Sequence, residues 1–236
     1  MTVDLMTFVP WQCSVEELEQ GGVDIVASGS QCALHTADRA TIESLLGRRY
    51  IVIEATNLVQ TNVACTLFFW RESMPLEEPD MMVPLGLFPG LQTRLSFDRE
   101  RLDGQQLFLD RTPGKLKSMA FGSGMRPDEV VRFGIGIVRS AADARMRVSA
   151  VRAQDEEPDY ALPDVTLVDE IGQWKQHDWD GRTDGLEELR DYLSRETAGA
   201  KTMPEPPTGA ARWGAFDRER SEATGYFRVE HDGSRY

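Results

Sequence analysis

Cysteine is scarce and scattered. The three residues, Cys13, Cys32 and Cys65, stand too far apart for a zinc signature and are odd in number, so no disulfide framework is visible and buried free thiols are the expectation. Histidine is as rare: His35, His177 and His231 lie far apart, and no pair has a metal-ligand spacing, so no metal and no cofactor are expected. Basic charge is in deficit, with 26 Lys and Arg against 39 Asp and Glu and a net charge of −13. That argues against nucleic acid and against anionic membrane surfaces as partners, because both select basic proteins. Long apolar runs are missing as well. The longest, Val63 to Trp70, is far short of the roughly 20 residues of a membrane helix. The opening Met-Thr-Val-Asp-Leu-Met has no basic segment leading into an apolar run, so no signal peptide is visible and the location of the protein is left open. No phosphate loop and no Gly-x-Ser-x-Gly elbow occur; Gly134-Ile135-Gly136 sits inside a strand pattern rather than opening a helix.

The chain is nonetheless rich enough to fold. Hydrophobic residues make up 41% of its 236 positions, a normal globular content. Residues 1–155 read as β structure. Tyr50 to Asn57 is β-branched and ends on a turn former, Val63 to Trp70 looks buried on both faces, and Arg94-Leu95-Ser96-Phe97 and Gln106 to Leu109 alternate. Phe133-Gly134-Ile135-Gly136-Ile137 sets three large apolar groups on one face and two glycines on the other, leaving room there for a close backbone or a ligand. Turns carry Gly, Pro and Asp, as in Phe88-Pro89-Gly90 and Leu102-Asp103-Gly104. Many short strands without long helices between them predict an antiparallel β-sandwich of jelly-roll type. A short helix is expected at Ser14-Val15-Glu16-Glu17, which has capping-box spacing and ends at Gly21-Gly22.

Acidic charge concentrates after residue 150: the net charge is −4 over residues 1–150, −9 over 151–200 and zero over 201–236. Residues 156–204 read as an acidic linker with one helix, about 184–196, capped by Asp184 and carrying Leu186, Leu189 and Leu193 on one face. The Pro-rich run Met203 to Gly209 then breaks the chain. Asp180, Asp184, Gly185 and Asp191 mimic a calcium loop, but Arg182 stands where that loop needs a ligand oxygen. The adjacent acids Asp169 and Glu170 invite a glycosidase reading, yet sequence neighbours rarely point into one cleft together. Aromatic rings suit sugar stacking, which makes Trp70, Trp174 and Trp179 candidates for carbohydrate contact.

Leu167-Val168-Asp169-Glu170-Ile171-Gly172-Gln173-Trp174, followed by His177-Asp178-Trp179-Asp180-Gly181-Arg182-Thr183, resembles the linking region of β-agarase-like glycoside hydrolases. Upstream, Leu87-Phe88-Pro89-Gly90-Leu91-Gln92-Thr93-Arg94-Leu95 and Phe108 to Gly114 look like that family's carbohydrate-binding-like domain. Downstream, Ala223 to Gly233 resembles the hairpin that opens its catalytic barrel. Ile171, Asp180 and Arg182 depart from the family pattern. The resemblance implies a galactose-binding-like sandwich (1–155), a helical linker (156–204) and the truncated start of a (β/α) barrel with a β-hairpin (205–236). It implies no catalysis by the chain itself, since a barrel needs about 250 residues. The expected partners are a galactan-type polysaccharide and the chain's own missing barrel. Trp70, Arg94, Trp174 and Trp179 are the candidate sugar contacts. Asp169, Glu170, Gln173 and Asp178 become candidate linker or interdomain residues. Two other readings stay open: a purely structural sandwich with no sugar affinity, and a small hydrolase using Asp169 and Glu170.

Overall fold

β-Branched and aromatic residues at alternate positions build strands whose apolar side faces inward. A computed structural model describes residues 2–71, 74–104, 120–138, 144–159, 166–175 and 178–204. The chain forms two units, Met1–Arg182 and Thr183–Tyr236. In the first unit the strands are β1 (Val9–Trp11), β2 (Cys13–Glu17), β3 (Val23–Ala27), β4 (Gln31–Thr36), β5 (Tyr50–Asn57) and β6 (Val63–Trp70). They continue with β7 (Met81–Leu87), β8 (Gln92–Asp98), β9 (Phe121–Gly122), β10 (Arg132–Val138) and β11 (Arg145–Gln154). A six-stranded sheet has the order β1-β4-β10-β6-β7-β9, and a five-stranded sheet has the order β2-β3-β11-β5-β8. Every paired strand runs antiparallel to its neighbour. The protein is therefore a β-sandwich, as the strand pattern predicts.

The inner faces interdigitate into one core. Ile51, Ile53, Leu67, Phe133, Ile135, Ile137, Met146 and Val148, all expected inside, have no solvent exposure. Phe69 packs against Phe97 and Phe133, with centroids 5.5 Å apart in each pair. Alternation along β11 breaks once: the register shifts between Val148 and Ala150, so Ser149 is an extra residue and Val151, not Ala150, faces inward.

The N-terminal segment corrects the sequence reading. Ser14 to Glu17 is not a helix but lies in β2, paired residue by residue with β3 from Cys13↔Ala27 to Glu17↔Val23. Cys13 and Val15 alternate inward onto the core, while Glu16 takes an ion pair from Arg145 at 2.7 Å. Pairing with β3 satisfies every second backbone group, which outweighs the weak local preference of a capping-box spacing. Gly21 and Gly22, with φ of 84° and 88°, make the hairpin turn rather than a helix stop. Just before β2, Gln12 adopts φ 51° and turns the chain from one sheet to the other.

The sequence reading contains no helix where α1 (Arg39–Leu46) forms between β4 and β5. Asp38 caps it, its carboxylate accepting from the Thr41 N–H at 2.8 Å and the Thr41 hydroxyl at 2.7 Å. Ile42, Leu45 and Leu46 make a face of i, i+3, i+4 spacing that is buried against the sandwich.

The outer face of the five-stranded sheet is a charge lattice. Asp24 is 1% exposed and accepts from Arg145 at 2.9 Å and from Arg147 at 2.7 and 3.0 Å. Glu54 accepts from Arg94 at 2.8 Å and from Arg152 at 3.0 Å.

In the second unit α2 spans Leu186–Ala200. Gly185, not Asp184, is its N-cap residue, and Glu188 reaches back to accept from the Asp184 N–H at 2.6 Å. The helix continues past the expected end at Glu196, through Thr197 and Ala198, with the Thr197 hydroxyl donating to the Leu193 carbonyl at 2.7 Å. None of its side chains is buried, and Leu186 and Leu193 are exposed. The expected strand at Gln106–Leu109, the hairpin from Tyr226 and the whole of 205–236 lie outside the described residues.

Candidate functional site

Antiparallel register places the outer face of the six-stranded sheet unambiguously. Residues directly opposite one another share a face. Gly134 stands opposite both His35 and Phe68, Gly136 opposite Ala33 and Thr66, Arg132 opposite Trp70, and Trp11 opposite Ala33. Trp11, Ala33, His35, Phe68, Trp70, Arg132 and the two glycines therefore form one surface, on the side away from the main core. A second apolar cluster of Ala33, Phe68 and Trp70 sits there, with Trp11, Met74, Leu76, Met82 and Val138 packed around it.

The glycine floor has a direct use. A Cβ on Gly134 would come within 3.0 and 3.1 Å of the Trp70 ring carbons, so the indole lies in the space that glycine leaves. At Gly136 a Cβ would overlap the Cys32 carbonyl of the neighbouring strand. The close backbone anticipated for these glycines is present at Gly136, whereas the space at Gly134 is filled by the protein's own Trp70 ring.

Aromatic and polar groups converge on Trp70. Phe68 stacks on it at 5.7 Å and 24°, the His35 ring meets it edge-on at 6.4 Å, and the Arg132 guanidinium lies 5.9 Å from its centroid. Burial, and secondarily the Arg132 charge, lower the His35 pKa, which favours the neutral imidazole. Four polar atoms of this face are buried without a hydrogen-bond partner among the described residues: Gln31 Nε2, His35 Nδ1, Trp70 Nε1 and Arg132 Nε. They belong to the adjacent strands β4, β10 and β6. Buried polar atoms normally find partners. A concentration of N–H donors around flat rings can donate to the oxygens of a hydroxylated ligand while a ring covers its apolar side.

The residues singled out from sequence do not meet at this face. Trp70 is on it, but it has no exposure, so its ring is a floor rather than an open stacking surface. Arg94 lies on the opposite sheet, held by Glu54 and donating to the Asp159 carbonyl at 3.0 Å. Trp174 packs on Phe88 with centroids 5.4 Å apart, and Trp179 is 38% exposed with the Arg182 guanidinium 5.8 Å from its ring.

Asp169 organises a hairpin turn. Its carboxylate accepts from the Ile171 N–H at 3.1 Å, the Gln173 N–H at 2.8 Å and the Gln173 carboxamide at 3.1 Å. Val168 and Trp174 bridge across the turn. Burial raises the Asp169 pKa, but these bonds and the Arg182 charge outweigh it and leave the group below its ordinary range. Glu170 is exposed, and Asp178 approaches Arg182 at 3.9 Å.

Trp11, Gln31, His35 and Arg132 escaped the sequence reading. The available signal was the alternation of Arg132-Gly134-Gly136 on one side of β10, once its partners were known.

No protein-family model matches the sequence, and no curated protein matches it. Among solved structures, the chain is similar to PfGH50B at 12% identity, over 98% of this chain and 34% of that one, with a TM-score of 0.46. It is similar to the agarase AgWH50C at 16% identity, over 95% of this chain and 35% of that one, with a TM-score of 0.47. It is also similar to CsCBM6-3 from Clostridium stercorarium in complex with cellobiose, at 10% identity over 66% of this chain and 94% of that one, with a TM-score of 0.35. The chain spans about a third of the length of the first two.

Proposed function

We propose that this chain is a non-catalytic accessory module that binds or positions a galactan-type polysaccharide beside a catalytic barrel of β-agarase type. The observation that carries the reading is the outer face of the six-stranded sheet, where half-exposed Trp11 adjoins buried N–H donors from Gln31, Trp70 and Arg132. Flat rings beside unpartnered donors suit a sugar, whose C–H faces stack and whose hydroxyls accept. The sequence resemblance of 167–183 and 87–95 to agarase-like enzymes supports galactan as the sugar. In this reading 1–155 is the sugar-facing sandwich, 156–204 the acidic linker and 205–236 the start of the barrel.

The test is titration of the full chain with agaro-oligosaccharides, followed by calorimetry and tryptophan fluorescence. Saturable binding that weakens at least tenfold in Trp11→Ala, and is unchanged in Trp179→Phe, supports the proposal. Absence of binding at millimolar sugar removes it.

A second reading has its own observation. Trp70 is wholly buried, Arg94 is paired with Glu54, and Trp174 lies on Phe88, so three of the four expected sugar contacts are engaged internally. That favours a structural sandwich without sugar affinity. A small hydrolase using Asp169 and Glu170 has less support, because the Asp169 oxygens already accept three hydrogen bonds within their own turn.

A further inference from the structure

Two chain reversals cross from one sheet to the other at the same corner of the sandwich. β1 passes into β2 at Gln12, and β3 passes into β4 through residues 28–30. The Ser28 N–H donates to the Gln12 carbonyl at 2.9 Å and ties the two crossings together. Cys13 opens β2, and Cys32 is the second residue of β4. Cys13 Sγ lies 3.6 Å from the carbonyl oxygen of Ala33, the residue after Cys32, and Cys13 packs from its sheet onto the core cluster that contains Cys32.

We propose that Cys13 and Cys32 are a disulfide-forming pair that joins the two sheets at this corner when the protein meets a small-molecule disulfide oxidant. The partners belong to different sheets, so the bond would staple the sandwich across its thickness. It would close a loop of about 20 residues, long enough to restrict the unfolded chain appreciably.

The two thiols are unequal. Cys32 has no exposure, whereas Cys13 is half-buried and reachable from the sandwich edge. The neighbouring Cys32 thiol, together with the Trp11 backbone and against the effect of burial, lowers the Cys13 pKa; the Cys13 thiol and burial raise that of Cys32. Cys13 is therefore the attacking thiolate. It displaces one sulfur of the oxidant, forming a mixed disulfide and releasing one thiolate. Cys32 then attacks Cys13 Sγ, its proton passing to the departing thiolate, and the second thiolate leaves. Two protein thiols are oxidised and one external disulfide is reduced to two thiols. Cys65, fully buried with its thiol pushed up to about 12, takes no part.

The experiment equilibrates the full chain with oxidised glutathione and counts free thiols after denaturation. The expected result is a fall from three to one. The tryptic peptide ending at Arg39 contains both cysteines and should be lighter by two hydrogens. Its halves should remain joined after cleavage by a Glu-specific protease. The Tm of the oxidised protein should rise by about 4 °C or more, a rise absent in Cys13→Ser. Three remaining thiols, a lasting glutathione adduct on Cys13, a bond that includes Cys65, or a disulfide between two chains would each overturn the proposal.

Discussion

The Trp70 indole occupies the space above Gly134, and a methyl group there would stand 3.0 Å from its ring. Arg132, opposite Trp70 in the same ladder, places its guanidinium 5.9 Å from the indole centroid. One glycine thus sets the depth at which the largest ring of the outer face can sit. Gly134→Ala should lower stability by about 1–3 kcal/mol as the indole is displaced. Gly136→Ala should cost about 3 kcal/mol or more, since it meets backbone that cannot retreat. Urea unfolding of both variants checks the order; a harmless Gly136→Ala would show that β4 and β10 are not paired as described.

Asp24 is the buried carboxylate of the five-stranded sheet's outer face. The hydrogen bond from Arg147, reinforced by Arg145 and against burial, lowers its pKa. A lowered carboxylate contributes stability above its unfolded value of about 3.9 and loses it as pH falls through the folded value. Asp24→Asn should therefore cost about 2 kcal/mol at pH 7, less than for a fully buried pair because both arginines stay partly hydrated. The difference from wild type should shrink below about pH 4. Thermal unfolding at pH 7 and pH 3 measures both.

His35 behaves in the opposite charge sense with the same direction in pH. Its pKa is lowered by burial and by Arg132, so the folded state takes up its proton at lower pH than the unfolded chain. Stability is full above about pH 6.5 and declines as pH falls below it, by at most about 1.4 kcal/mol per pH unit. His35→Gln should flatten this part of the Tm profile. An imidazole proton resonance titrating above 6.5 would contradict the burial of the ring.

Phe88 holds the 167–175 hairpin through Trp174. Phe88→Ala should leave the sandwich folded, cost about 1 kcal/mol, and make Trp174 markedly more accessible to iodide or acrylamide. Limited proteolysis should then cut earlier near Gly172. Unchanged quenching would show that the hairpin is held by other contacts.

Strand periodicity carried most of the fold. The runs at Tyr50, Val63, Phe133 and Arg145 are strands with the predicted faces inward, because alternation directly encodes a two-sided sheet. Ser14 to Glu17 misled because a capping-box spacing is a local signal, whereas the strand there is enforced by β3 from outside. Asp38 with Ile42, Leu45 and Leu46 spelt a helix only two turns long, easily lost between two strands. At the candidate site, Trp70 was conspicuous by type. Its companions were not: Trp11, Gln31, His35 and Arg132 become neighbours only through pairings between strands up to about a hundred residues apart, which no local spacing encodes. The residues in 167–174 were legible as a motif, but the role of Asp169 within its own turn follows from hydrogen bonds rather than from its type.

The turn at Gln12 has a consequence for how the protein meets copies of itself. β1 and β2 are the outermost strands of their sheets on one side, and they are a single strip of chain folded over a corner. A foreign strand that aligned with one would diverge from the other within a few residues. β1 is only three residues long and includes Pro10, while the far margin of its sheet ends in the two residues of β9. Among the described residues, β1 and β9 are therefore each too short to template another chain, a form of protection against fibrous self-assembly at these two strands.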